Sequence, residues 1–234
     1  MTHSSLDIDS QQLTGTSQNH LTTLSSGQQL HNQVSSHWQE LQSAAKRAGF
    51  ELAIASGFRS FERQLTIWNA KFTGIRPVYN RGDQVIDMTK LDDWQKVQAI
   101  LEYSALPGAS RHHWGTDLDF YDKAAVNSKY QLKLTPDEYL HAGPFSAATN
   151  WLHAHAHQHG FYFPYQGETL GVAHEPWHLS FFPLANQFYD FLDAEPKVLF
   201  DLILNEEVEG KSAILRNFEY IIDNYVLNVA KISE

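Results

Sequence analysis

Two short segments, far apart in the chain, restrict its folding more than any other feature. One is Ser110-Arg111-His112-His113-Trp114-Gly115-Thr116-Asp117-Leu118-Asp119, the other Glu175-Pro176-Trp177-His178. Together they offer two imidazoles and a carboxylate, plus a spare glutamate three residues before the last imidazole. A hydrolytic zinc site needs three protein ligands, an open position for water and a base to take the water's proton. His112, Asp119 and His178 are the candidate ligands. A turn at Gly115 can bring the first two together as the ends of a short hairpin, and the distant third closes the site only once the fold has formed. Asp117 and Asp119 alternate with Leu118 and Phe120, so the first segment is predicted to end in a strand with both aspartates on one face. Pro176 blocks a helix at the second segment. Glu175 is therefore expected on an extended or turned stretch, where its carboxylate can serve as the base.

Composition narrows the ligand chemistry. The chain has no cysteine, so any metal is held by His, Asp or Glu. Its formal charge is -10, from 27 acidic and 17 basic residues, which argues against a nucleic-acid partner. With 6 Trp, 10 Tyr and 14 Phe it can fill a core. No apolar run is long enough for a membrane span. The first thirty residues lack a basic start and an apolar run, so a cytoplasmic protein is expected, or a periplasmic one if a leader has been removed.

Periodicity divides the chain into a flexible polar N-terminal arm over residues 1–27, a main domain over 28–183, and a helical C-terminal extension over 184–234 packed on that domain. Leu30, Val34, Trp38, Leu41 and Ala45 mark a helix that Gly49 ends. Residues 50–55 alternate as a strand, and Ser60 is placed to cap a helix through Phe72. Another helix is expected over 91–103, a polar loop over 122–144, a helix over 145–159, and strands at 161–163 and 177–182. His153, His155, His157 and His159 read as two helical pairs on a solvated face rather than a second metal site.

Ser110-x-His112-x-x-Gly115-x-x-x-Asp119 and Glu175-x-Trp177-His178 resemble the two signatures of the zinc D-alanyl-D-alanine carboxypeptidase and dipeptidase family, which includes the vancomycin-resistance peptidases. Ser56-Gly57-Phe58-Arg59-Ser60, followed by Gln64, resembles a third element, an arginine at a strand end. The resemblance implies an α+β fold of the hedgehog and DD-peptidase type, a small antiparallel sheet flanked by helices. It implies zinc on His112, Asp119 and His178, with Glu175 as base. It implies that Arg59 stabilises the oxyanion or holds a substrate carboxylate, a role that suits a permanently charged, bidentate guanidinium. Ser110 and Gln64 become candidate substrate-binding residues, although Ser110 can equally cap its turn. The implied substrate is a peptidoglycan-derived peptide containing D-amino acids, and the implied activity is D-alanyl-D-alanine carboxypeptidase. An L,D- or endo-acting peptidase and an inactive zinc-holding binding module are the alternatives. One residue departs from the pattern: Asp117 stands where many members carry a small apolar side chain. It could compete for the metal, orient a ligand, or pair with Arg59 or Arg111.

Overall fold

Two antiparallel sheets organise the chain in the computed structural model, which describes residues 8–167 and 171–230. A small ribbon pairs β1 (Leu21–Thr23) with β2 (Gln29–His31). The main sheet contains β3 (Leu52–Ser56), β4 (Asp117–Asp122), β5 (Phe161–Tyr162) and β6 (His178–Phe181), in spatial order β3-β4-β6-β5. Leu118 lies opposite Leu179, Asp119 opposite His178 and Asp117 opposite Ser180. Successive side chains alternate between faces. This register therefore collects Leu118, Phe120, Leu179 and Phe181 on an apolar face and Asp117, Asp119, His178 and Ser180 on a polar one. All eight are buried.

Helices cover the sheet and complete the α+β architecture. Five of them are α1 (Ser10–Thr14), α2 (Ser35–Arg47), α3 (Phe61–Phe72), α4 (Asp93–Leu101) and α5 (Pro136–Tyr139). They are followed by α6 (Ser146–His155), α7 (Phe182–Ala194), α8 (Lys197–Asn205), α9 (Lys211–Arg216) and α10 (Phe218–Ile221). Trp38, Leu41 and Ala45 form the buried stripe of α2, and Trp38 meets Phe161 edge-on at 6.2 Å. Ser60 caps α3 by accepting from Arg63 N. No helix among the described residues is long and apolar enough to cross a membrane.

Several sequence expectations need correction. The described part of the expected flexible arm, residues 8–27, is folded against the domain. Asp9 and Gly15 cap α1, Leu13 is fully buried, and the Leu13 carbonyl accepts from the Trp114 indole. The residues are polar, but their backbone and a few apolar anchors are used, which composition does not register. Residues 1–7 lie outside the described residues. Leu30 belongs to β2, not to the following helix, which starts at Ser35. The expected loop over 122–144 contains α5. There the buried Glu138 carboxylate accepts from Tyr130 Oη and from the backbone of Lys133 and Thr135. The histidines at 153–159 do not share one helix, because α6 gives way to a 3-10 turn over Ala156–His159. His153 stacks on Phe163 and His155 on Trp151.

Beyond α7, the tail is tied to the domain by specific bonds. Trp68 Nε1 donates to Glu209 O at 3.0 Å and Asn69 Nδ2 to Glu207 O at 2.9 Å. Gly108, with φ 88°, leaves so little room that a Cβ there would meet Leu202 at 2.7 Å.

A pair of buried histidines joins the ribbon to α7 and to the turn before β4. His20 and His31 lie with ring centroids 5.3 Å apart against Phe188 of α7, and His31 N donates to Gly115 O. His31 Nδ1 accepts from Gln33 N, so this nitrogen must stay unprotonated. Burial and the neighbouring His20 lower the His31 pKa to about 4, and burial lowers that of His20. The folded state thus binds fewer protons than the unfolded chain, whose histidines titrate near ~6.5. The stability tied to this pair is whole above that pH and is lost as pH falls towards about 4. We expect His31→Asn, which keeps the acceptor without the titration, to remove part of this fall, on the order of 2–3 kcal/mol. Urea unfolding at a series of pH values measures it.

Candidate metal centre

The polar face of the sheet and the turn before β4 form one site. His178 and Asp119 meet because they are register partners on β6 and β4. His112 arrives from the 3-10 turn Arg111–Trp114, which ends at Gly115 in the left-handed conformation. A Cβ at Gly115 would lie 2.7 Å from His31 N, so the turn needs both the positive φ and the missing side chain. The expected hairpin is therefore a helical turn running into a strand. One donor atom each from His112, Asp119 and His178 lies within 4.8 Å of the others, all three residues buried.

Hydrogen bonds fix which nitrogens face the centre. His112 Nδ1 is 2.9 Å from Gly57 O; a carbonyl only accepts, so Nδ1 carries the proton and Nε2 keeps its lone pair. That Nε2 is 3.5 Å from Asp119 Oδ2. His178 Nε2 is 2.9 Å from Asp117 Oδ1, which leaves Nδ1 facing Asp119 Oδ1 at 3.3 Å and Glu175 Oε2 at 3.5 Å. Asp119 Oδ1 is buried, and beyond this ion-pair approach of His178 it makes no well-formed hydrogen bond among the described residues.

Asp117 holds His178 in place. Its two oxygens accept from Arg111 Nε at 2.8 Å, Thr116 Oγ1 at 2.5 Å and Ser180 Oγ at 3.1 Å, besides His178. They are turned away from His178 Nδ1, so Asp117 orients a candidate ligand and pairs with Arg111. Burial pushes the Asp117 carboxyl up, but Arg111 and the His178 hydrogen bond outweigh it and hold the group ionised. Burial likewise disfavours the His178 cation, but the bonds to Asp117, Asp119 and Glu175 raise its pKa well above the ordinary value. Three carboxylates, those of Asp117, Asp119 and Glu175, thus converge on the His178 ring.

The remaining predicted residues divide between the cavity and its support. A cavity of about 970 Å³ opens beside the three candidate ligands, and Glu175, Arg59 and Ser110 also line it. Ser110 makes no side-chain capping bond to its turn. Gln64 is fully buried and does not line the cavity; its Oε1 accepts from Arg59 Nη1 at 2.9 Å and its Nε2 donates to Ala105 O at 2.6 Å. Gln64 thus braces Arg59. Burial lowers the Arg59 pKa, opposed by Asp119 and Glu175.

His113, next to a candidate ligand, is structural cement. Its Nε2 accepts from Gly108 N at 3.1 Å and its Nδ1 lies 2.6 Å from Arg59 O. Burial pushes its pKa down to about 3, which keeps it neutral. Sequence reasoning missed Tyr165, which lines the cavity and presents its ring edge-on to His178 at 4.8 Å. It also missed the wall supplied by residues 133–137. Neither carries a local spacing signal.

A buried His-Asp-His donor set at the edge of a cleft, with a further carboxylate and an arginine on the same wall, defines a candidate metal-dependent hydrolase. The family comparison narrows this class. Residues 27–184, more than half of the chain, match the family described as VanY, D-alanyl-D-alanine carboxypeptidase, and the protein belongs to that family. It is 47% identical over 105 residues to an uncharacterized protein of Haemophilus influenzae, a stretch covering 43% of this chain and 72% of that one. Its fold is similar to that of VanYB in complex with D-alanine-D-alanine, with a TM-score of 0.51 at 22% identity, covering 76% of this chain and 91% of the other. It is also similar to a mutant of the vancomycin resistance D,D-pentapeptidase VanY in complex with Zn(II), with a TM-score of 0.50 at 21% identity, covering 83% and 88%.

If this donor set holds a divalent metal and Asp117 fixes the His178 tautomer, Asp117→Asn will weaken metal binding by roughly 10- to 100-fold, the usual effect of losing such a partner. Competition with a chromophoric chelator measures this, and circular dichroism checks that the near-isosteric variant remains folded.

Proposed function

We propose that the protein is a zinc-dependent D-alanyl-D-alanine carboxypeptidase acting on peptidoglycan-derived peptides. The observation that carries this reading is the convergence of His112 Nε2, an Asp119 oxygen and His178 Nδ1 beside a cavity that Glu175 and Arg59 also line. Nitrogen and oxygen donors without cysteine suit zinc, and the buried Asp119 Oδ1, which makes no well-formed hydrogen bond, fits a ligand atom. Zinc bound there would supply Lewis acidity, polarising the scissile carbonyl and making a water acidic near neutral pH.

The chain's own groups supply the rest. Glu175 Oε2, 3.5 Å from His178 Nδ1, is placed to accept the attacking water's proton and return it to the leaving amine. Arg59, braced by Gln64 and Ser56, directs a fixed positive charge into the cleft, where negative charge develops on the carbonyl oxygen. Ser110 contributes to the wall beside His112. Tyr165 is kept a neutral phenol by burial and can donate a hydrogen bond to substrate. Family membership supports the D-alanine substrate. So does the D-alanine-D-alanine ligand of a structural neighbour, and the Zn(II) of another supports the metal.

Digestion of a pentapeptide ending in D-alanyl-D-alanine, read by mass spectrometry, is expected to show loss of a single alanine that stops when zinc is chelated. Loss of a dipeptide or an internal cut would reassign the bond. Zinc bound without any cleavage would favour a binding module. Glu175→Gln should lower kcat by roughly 10²- to 10⁴-fold with zinc content unchanged.

A further inference from the structure

We propose that Lys71 and Arg76 form an anion subsite in the same cavity, which holds a free carboxylate of the peptide substrate. This inference rests on the peptidase reading above and assigns a function to two residues which that reading does not use.

The chain is acidic overall, yet the cavity wall includes Lys71, Arg76, Arg81, Arg111 and Lys133 besides Arg59. Two of these cations are neutralised by the protein. Arg111 is paired with Asp117 at 2.8 Å, and Arg81 with Glu102 at 3.7 Å. Neither Lys71 nor Arg76 has a carboxylate within ion-pairing distance among the described residues. Asp83 and Asp137 line the cavity without pairing with either.

Lys71 lies in the last turn of α3 and is partly buried. Its Nζ donates to the neutral hydroxyl of Ser104 at 2.6 Å. An ammonium has three donors, so this bond leaves two for another group. Arg76 follows the turn at Gly74 and stands exposed at the cavity wall. The two cations act on each other: burial lowers the Lys71 pKa to about 8, and the charges of Arg76 and Arg59 push the same way, against Glu175. Burying an ammonium without a counter-ion is costly, and crowding it with other cations adds to the cost. An anion delivered by the ligand removes both penalties at once. Lys71 and Arg76 line the same cavity as Glu175, Arg59 and the three candidate ligands, so a peptide bound there can bring a carboxylate near the scissile bond to them.

That carboxylate has two possible sources, the C-terminus of the leaving residue or an acidic side chain upstream. The test uses one peptide ending in D-alanyl-D-alanine with one acidic side chain, prepared free, as the C-terminal amide and as the side-chain amide. Lys71→Met, nearly isosteric, and Arg76→Gln, at an exposed position, are assayed with the wild type. Each variant is expected to raise KM roughly tenfold on the free peptide, the size of a lost charged hydrogen bond. That ratio should fall towards one on whichever amide lacks the contacted carboxylate, which identifies the source. An unchanged KM, or the same ratio on all three peptides, overturns the proposal. Calorimetric binding of these peptides to Glu175→Gln, with and without Lys71→Met, separates this inference from the peptidase reading. Lys71-dependent binding without cleavage by the wild type would sink only the activity. Normal cleavage with Lys71-independent binding would sink only the subsite.

Discussion

The buried Asp117 carboxylate is the interaction on which the rest of the site depends. Strand β4 supplies it, the turn before β4 supplies Arg111, and β6 supplies His178 and Ser180. Arg111 also donates to Tyr162 Oη at 3.2 Å and to Ser180 Oγ at 2.7 Å, and lies over the Trp114 ring at 4.7 Å. One ion pair therefore ties the turn to three neighbouring strands. Taking two charges out of water is expensive, and such a pair holds only when its remaining donors and acceptors are satisfied. Here the carboxylate accepts four hydrogen bonds, so the cost is offset and the geometry becomes rigid. Removing one partner from a pair of this kind costs about 3–5 kcal/mol, because the other charge is left stranded.

A second rigid unit joins the arginine loop to the metal turn. His112 Nδ1 bonds Gly57 O, Arg59 N bonds His112 O, and His113 Nδ1 bonds Arg59 O. Three consecutive contacts between two short segments fix the spacing between a candidate ligand and the guanidinium. Because His113 is neutral and uses both ring nitrogens, the unit does not loosen as pH crosses the usual histidine range. Preorganisation of this sort places fixed charge where a reaction develops it, without rearrangement during the reaction.

Much of this was legible in the sequence where the signal is local. The alternation at Asp117–Phe120, the proline after Glu175 and the Ser60 cap each express one rule of backbone geometry, and the structure follows all three. The polar residues before Leu30 misled because disorder was inferred from composition, whereas Leu13 and the Trp114 indole need each other across a hundred residues. Gln64 is a candidate substrate-binding residue only through the resemblance; on α3 its side chain turns towards Ala105 and Arg59. The role of Asp117 stayed open because it depends on which nitrogen of a distant histidine faces it. The far wall of the cavity was invisible for the same reason: its residues share no motif and meet only through tertiary packing.

That wall includes Tyr225 and Val226, which lie beyond the stretch matched to the family. Part of the shape of the cleft is thus encoded outside the stretch that carries its chemistry. Substitutions in the tail can widen or narrow the space available to a substrate while leaving every candidate ligand untouched. Two members with identical motifs could then differ in the peptides they admit, with the difference written some fifty residues downstream of the last signature, as loop and tail variation allows on a rigid scaffold.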